Sequence, residues 1–362
     1  MLASICDGPN APLRVETISL PNLGYTDVRV RTLASGVCHT DLSFRNGAVG
    51  APSMFPIVFG HEAVGLVEAV GAGVSRCKPG DMVLGSILPS CGECWYCIRQ
   101  ESQHCETTAQ VSSAHHYIRA DGSRALALAG LGSFSEMMQV SETSVVPIVS
   151  DLPPEQLAMI GCGVTTGVGA ALWTAKVEPG STVAVFGCGG IGQSVLQGAR
   201  LAGAERIFAV DPVALKREMA SLSGATDLID PTQGDPVAAI REATGGRGVD
   251  YSFEATGIPA VSRQAFDAVR KRGVAVIVGM PPSNSEVAVS GRSLFYEEKQ
   301  LRGSLYGSAQ SPVHLPMVVR FAERGQLDLS ALVTKLIELD QINEAFEAMI
   351  RGDVIRSVVR FA

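Results

Sequence analysis

Residues 91–105 read CGECWYCIRQESQHC, which sets Cys91, Cys94, Cys97 and Cys105 at the spacing C-x2-C-x2-C-x7-C. Four thiolates from one short loop can close a tetrahedron around zinc with no position left open, and such a site replaces a core that the segment is too short to build. A ferredoxin-type iron–sulfur run starts the same way but continues with three spacers and a proline after the last cysteine. Here seven residues intervene and Glu106 follows, so structural zinc is the expectation. In a reducing compartment clustered thiols point to metal or catalysis before disulfides, and cysteines this closely spaced cannot all pair.

Three further segments, GVCHTDL (36–42), GHEAVGLVEAVG (60–71) and GCGVTTGVG (161–169), each set a sulfur or an imidazole among glycines: Cys38, His61 and Cys162. Two cysteines and one histidine would leave a fourth zinc position for water or substrate, the arrangement of catalytic sites. Each alone reads more readily as a buried core cysteine or a satisfied histidine. They gain meaning only together, and with a cofactor site.

That site is legible between Ser181 and Asp211, in STVAVFGCGGIGQSVLQGARLAGAERIFAVD. Val183–Phe186 reads as a buried strand. Gly187, Gly189 and Gly192 fit G-x-G-x-x-G, with Gly190 and Ile191 in the same turn, and 191–202 has helical apolar spacing before a second strand at 207–210. Glycines there let the backbone approach a pyrophosphate at a helix N-terminus. Asp211 follows Gly192 by 19 residues, where a carboxylate binds a ribose 2′-hydroxyl and repels a 2′-phosphate. NAD is therefore expected over NADP. Apolar runs at 225–230, 249–257, 273–280 and 300–307 extend this to a six-stranded doubly wound sheet.

The elements that must position these groups fit an ordinary globular chain. With 362 residues, 46% hydrophobic and 18% charged, there is material for two domains and two cores. A net charge of -7 without basic runs argues against nucleic acid and anionic membrane as partners. No signal peptide is read at the N-terminus. The charge-free runs 157–175 and 179–199 are broken by glycines and polar residues and are expected to be buried turns and strands. A soluble, cytoplasmic protein is the expectation.

Taken in order, GVCHTDL, GHEAVGLVEAVG, KPGDMVLGS, the four-cysteine lobe, GCGVTTG, VFGCGGIG, AVD and INEAFEAMIRGDVIRSVVRF span nearly the whole chain. Together they resemble the zinc-containing alcohol dehydrogenases of the medium-chain dehydrogenase/reductase superfamily. The resemblance implies an α/β protein with a GroES-like β-rich catalytic domain at 1–163, completed by 306–362, and a Rossmann cofactor domain at 164–305. It implies NAD and two zinc ions per chain, the catalytic one on Cys38, His61 and Cys162, with Glu62 close to it and Asp41 orienting the histidine. It further implies Thr40 as the hydroxyl that takes the alcohol proton, Lys216 on the adenosine ribose, and His39 and Arg356 on the cofactor phosphates. The expected partner is a small alcohol or aldehyde, and the expected assembly a homo-oligomer, a dimer rather than a tetramer.

Departures from the family pattern bear on substrate. Ser43 stands where liver-type members carry the histidine that ends the proton relay. Ile87, where ethanol-active members carry a large aromatic, and Leu128 and Leu305 are expected to line the pocket, favouring primary aromatic or allylic alcohols. Ala109 stands where the glutathione-dependent formaldehyde branch has an arginine. A nicotinoprotein member holding NAD(H) tightly, or a non-catalytic redox sensor on the same fold, are the alternatives.

Overall fold

The structure, a computed structural model, describes residues 1–361. It divides into two compact units. The first holds Met1–Cys162, Gln310–Arg324 and Val333 onward; the second holds Gly163–Ala309 and Gly325–Leu332. Against the expected division, 163, 306–309 and 325–332 fall in the second unit rather than the first. The reason is local. Gly307 lies so close to the Gly163–Gly169 helix that a Cβ would stand 2.7 Å from Gly169 Cα. The Gln197 side-chain amide bonds both the N–H and the C=O of Asp328.

In the first unit a small closed barrel joins Leu2–Cys6, Arg14–Ser19, His116–Arg119, Arg124–Ala127 and Ile57–Val58. Ile5, Phe59, Tyr117 and Phe134 share one buried core with Phe346 of the helix Ile342–Arg351. A neighbouring sheet runs Val145–Ile148, Met82–Gly85, Glu62–Val70, Asp27–Gly36, Arg356–Arg360, Val333–Ile337, with Met137–Ser141 also pairing to Asp27–Gly36. Alternating burial along Asp27–Gly36 puts Val28 and Val30 into one core with Val67, Val83 and Met138.

The second unit is a six-stranded sheet, all parallel, in the order Asp227–Ile229, Arg206–Val210, Thr182–Phe186, Val249–Glu254, Val269–Ile277, Gln300–Gly303. All six expected strands are present, in doubly wound order. Separate apolar cores cover its two faces, one around Val183, Val195 and Phe253, the other around Phe186, Ile240 and Phe266. The order reverses beside Thr182–Phe186, so a crevice opens beyond its carboxyl end, where ligands bind in such sheets.

The run 157–175 is helical, not turns and strands: Pro154–Ala158, Met159–Gly161, Gly163–Gly169 and a π-turn Ala170–Ala175. Its glycines serve close backbone approach; a Cβ on Gly167 would stand 2.5 Å from Ile191 O. Among the described residues no single helix is long and apolar enough to cross a membrane.

Candidate functional site

Strand register assembles the first cluster. Gly36 pairs with Glu62 across the antiparallel ladder, and Val358 pairs with Gly36 on the other side. Cys38 lies two residues beyond Gly36, His61 one before Glu62, and Arg356 two before Val358, so the three run together at one sheet end. Cys162 arrives at the same place because Gly161 packs onto the neighbouring strands: a Cβ there would stand 2.7 Å from Gly85 O and 3.6 Å from Ala63 N. One ligand atom each of Cys38, His61, Glu62 and Cys162 lies within 4.8 Å of all the others, and all four residues are buried.

Asp41, in the first turn of the helix His39–Arg45, is fully buried and braces this cluster. Its Oδ2 accepts from Cys38 N, and its Oδ1 accepts from Gly60 N and His61 Nδ1, each at 3.0 Å. With Nδ1–H donated to Asp41, the lone pair of His61 sits on Nε2, and Nε2 is buried with no hydrogen-bond partner. Gly60 has φ of +88°, and a Cβ there would meet Phe134 N at 2.6 Å, so this corner admits only glycine.

Arg356 is only 5% exposed; its guanidinium lies 3.4 Å from Glu62 Oε1 and donates to Val37 O at 3.3 Å. Burial pushes the Glu62 carboxyl up to about 8, against the pull of Arg356. The Cys38 thiol is drawn well below its usual range, because Cys162 donates to it and Arg356 and His61 lie nearby. An easily ionised thiol, an orphaned imidazole nitrogen and a second cysteine form a donor set suited to zinc. Thr40 and His39 begin the same helix, half-exposed and exposed.

The second cluster is Cys91, Cys94, Cys97 and Cys105, again with all ligand atoms within 4.8 Å of one another. The sulfurs of Cys91 and Cys97 and of Cys94 and Cys105 are 3.9 Å apart, and those of Cys91 and Cys105 3.6 Å. These are too long for disulfides. A zinc–sulfur bond of about 2.3 Å implies a tetrahedral edge of about 3.8 Å, so the spacing fits the metal. Cys94 N and Cys91 N donate to Cys91 Sγ and Cys105 Sγ at 3.3 Å, which favours thiolates.

In the second unit the strand Thr182–Phe186 turns through Gly187, φ +91°, into the helix Gly190–Leu201. Gly192 packs against the Gly187 carbonyl, leaving no room for a Cβ, and a Cβ on Gly187 would collide with Thr256. Gly189 differs: its φ is -72°, and a Cβ would find nothing within 4 Å. The protein itself does not require glycine there, whereas an anion seated on the helix N-terminus does. Asp211 is 5% exposed, its carboxylate accepting from Cys188 N at 2.8 Å and Val213 N at 2.9 Å. Lys216 lies half-buried in the helix Ala214–Leu222, and its carbonyl accepts from Gln193.

Of the residues expected at the pocket, Ile87 and Leu128 belong to the first unit and Leu305 to the second. Ile87 is half-buried against the core of Val28 and Val83. Leu128 is 3% exposed and packs in the core cluster of Tyr117 and Phe134, from the short turn Leu128–Gly130 that follows the strand Arg124–Ala127. Leu305 is in the other unit and 48% exposed. Two features leave no local signal in the sequence. The Glu62–Arg356 pair depends on strand register across 294 residues, and the run 115–132 supplies two barrel strands of only four residues each.

Comparison with known proteins agrees with this geometry. The alcohol dehydrogenase GroES-like domain profile matches residues 24–151, and the zinc-binding dehydrogenase profile matches residues 190–323. An S-(hydroxymethyl)glutathione dehydrogenase of Photobacterium damsela subsp. piscicida is 37% identical, over 99% of both chains. The crystal structure of an alcohol dehydrogenase zinc-binding domain protein from Burkholderia ambifaria has a TM-score of 0.94 at 32% identity, covering 100% of this chain and 98% of that one. Benzyl alcohol dehydrogenase from Acinetobacter calcoaceticus has a TM-score of 0.93 at 30% identity, covering 100% and 99%. Two thiols and an imidazole converging at one end of a GroES-like sheet, a second thiol tetrad in a lobe, and a glycine turn on a doubly wound sheet thus place this chain among the zinc-dependent alcohol dehydrogenases of the medium-chain superfamily.

Proposed function

We propose that the chain interconverts a primary aromatic or allylic alcohol and its aldehyde with NAD, using one catalytic and one structural zinc ion. The observation that carries this is the buried convergence of Cys38, His61 and Cys162, with His61 Nε2 left without a partner. Bound there, zinc supplies a Lewis acid that makes an alcohol hydroxyl more acidic, and NAD supplies the hydride acceptor.

The chain's own residues do the rest. Asp41 fixes the His61 tautomer so that Nε2 faces the metal position. Thr40 Oγ1 takes the alcohol proton and passes it outward. Ser43, one turn on, has no pKa near neutrality, so that proton reaches water without a terminal histidine. Asp211 sits ready for a ribose hydroxyl, and Gly189 keeps the helix N-terminus open to pyrophosphate. Lys216 is assigned to the adenosine ribose, and His39 and Arg356 to the phosphates. Ile87 supports a bulky substrate, being narrower than an aromatic ring, and the relative that acts on benzyl alcohol agrees with that choice. An edge strand, Gln300–Gly303, preceded in sequence by the exposed Phe295 and Tyr296, supports a homodimer. Reduced cysteines suit the cytoplasm.

The test is a panel of benzyl, cinnamyl, geranyl and short aliphatic alcohols plus S-(hydroxymethyl)glutathione, each with NAD. Bulky primary alcohols are expected to give the highest kcat/KM, by a graded margin, since one methylene-scale contact is worth only ~1–3 kcal/mol. Ethanol or the glutathione adduct as best substrate would contradict the pocket reading.

A further inference from the structure

Gln193 is the residue after the last glycine of the turn, and it is completely buried. A buried primary amide on a cofactor-side helix must be accounted for, because its polar atoms need partners. Its Nε2 donates twice, to Cys188 O at 2.9 Å and to Lys216 O at 3.0 Å. Both partners are carbonyls, so the amide can face them only with its NH2 group. The remaining Oε1 is buried without a protein partner. A leucine or methionine would fill the same space without that unfavourable acceptor, so packing alone does not explain glutamine here.

The consequence lies in the peptide joining Cys188 to Gly189. In a trans peptide the C=O and N–H point in opposite directions. Gln193 holds the Cys188 C=O, and the Gly189 N–H is thereby turned away from the Gln193 amide. The preceding peptide is fixed as well, by Cys188 N donating to Asp211 Oδ2 at 2.8 Å. The second bond ties the turn to the helix that begins just after Asp211, through the Lys216 carbonyl.

Resting on the NAD reading above, we infer that Gln193 is a positioning residue that aims the Gly189 N–H at the cofactor pyrophosphate before the cofactor arrives. The turn is then preorganised, and binding does not have to order it.

The experiment compares Gln193→Met and Gln193→Glu with the wild type in the full chain, titrating NAD and ADP-ribose calorimetrically. Methionine keeps the length and loses both donors; an ionised glutamate sets charge against two carbonyls. The Kd for both ligands should rise about tenfold in the methionine variant and more in the glutamate variant. KM for NAD should follow, while kcat at saturating NAD changes far less. NAD affinity within twofold of wild type in either folded variant would overturn the inference. So would a fall in kcat and melting temperature with Kd unmoved. Wild type that binds neither ligand would instead remove the cofactor reading itself, and this inference with it.

Discussion

His61 Nδ1 and Asp41 Oδ1 lie 3.0 Å apart, both side chains fully enclosed, and Asp41 Oδ2 also holds the backbone N–H of Cys38. One carboxylate therefore orients the His61 imidazole and the Cys38 backbone, the two residues proposed as zinc ligands, at once. Asp41→Ala is expected to weaken zinc binding at this site by about 10–100-fold. Competition against a fluorescent chelator measures this; unchanged affinity would deny Asp41 its orienting role.

The two thiol clusters should separate by phenotype. Cys38→Ala is expected to abolish turnover with little change in melting temperature. Cys97→Ala is expected to lower the melting temperature, since three of the four lobe cysteines are only half-buried and a zinc ion there would replace a core. Each variant should carry one zinc instead of two. Paired calorimetry and metal analysis would show otherwise if both variants lost stability alike.

Asp211 should set the cofactor preference. A 2′-phosphate beside its buried carboxylate costs several kcal/mol, so kcat/KM with NAD should exceed that with NADP by at least about 100-fold. Because the carboxylate also receives the Cys188 and Val213 amides, Asp211→Ser should lose NAD affinity as well as selectivity. Equal kcat/KM for the two cofactors in the wild type would refute the assignment.

Proton exit without a histidine has its own signature. Alcohol oxidation is expected to be slow near neutrality and to rise with pH. Ser43→His adds an imidazole one turn beyond Thr40, and should raise oxidation near pH 7 and add a titration there, by up to ~10²-fold. If that variant is silent while His39→Gln removes an existing titration, His39 is the relay instead.

A pH-linked stability effect is expected in the second unit. The bidentate Arg206 guanidinium holds the Asp227 carboxyl below the usual range. The folded pKa being depressed, the stabilisation is complete above the unfolded pKa near 4 and lost as pH falls through the folded value. Both side chains are partly exposed, so Arg206→Met should cost only about 0.5–1 kcal/mol at pH 7. Urea melts at pH 7 and pH 3 should show that difference shrinking; a difference that grows at low pH would contradict the linkage.

What the sequence disclosed and withheld follows from range. The cysteine lobe and the glycine turn are local patterns, whose spacing alone carries the geometry. The Glu62–Arg356 pair is not, because it depends on Gly36 pairing on both sides with strands remote in sequence. The strands His116–Arg119 and Arg124–Ala127, four residues each, are too short for alternation to declare itself. The run 157–175 misleads for another reason: Gly167 and Gly169 are there for close packing, yet read on sequence as turns.

The most direct test is to follow zinc content, turnover and melting temperature together while a chelator removes metal. Two zinc ions per chain are expected. Turnover should vanish as the ion on Cys38, His61 and Cys162 leaves, and melting temperature should fall chiefly when the lobe ion follows. Full turnover with one zinc ion or none would contradict it.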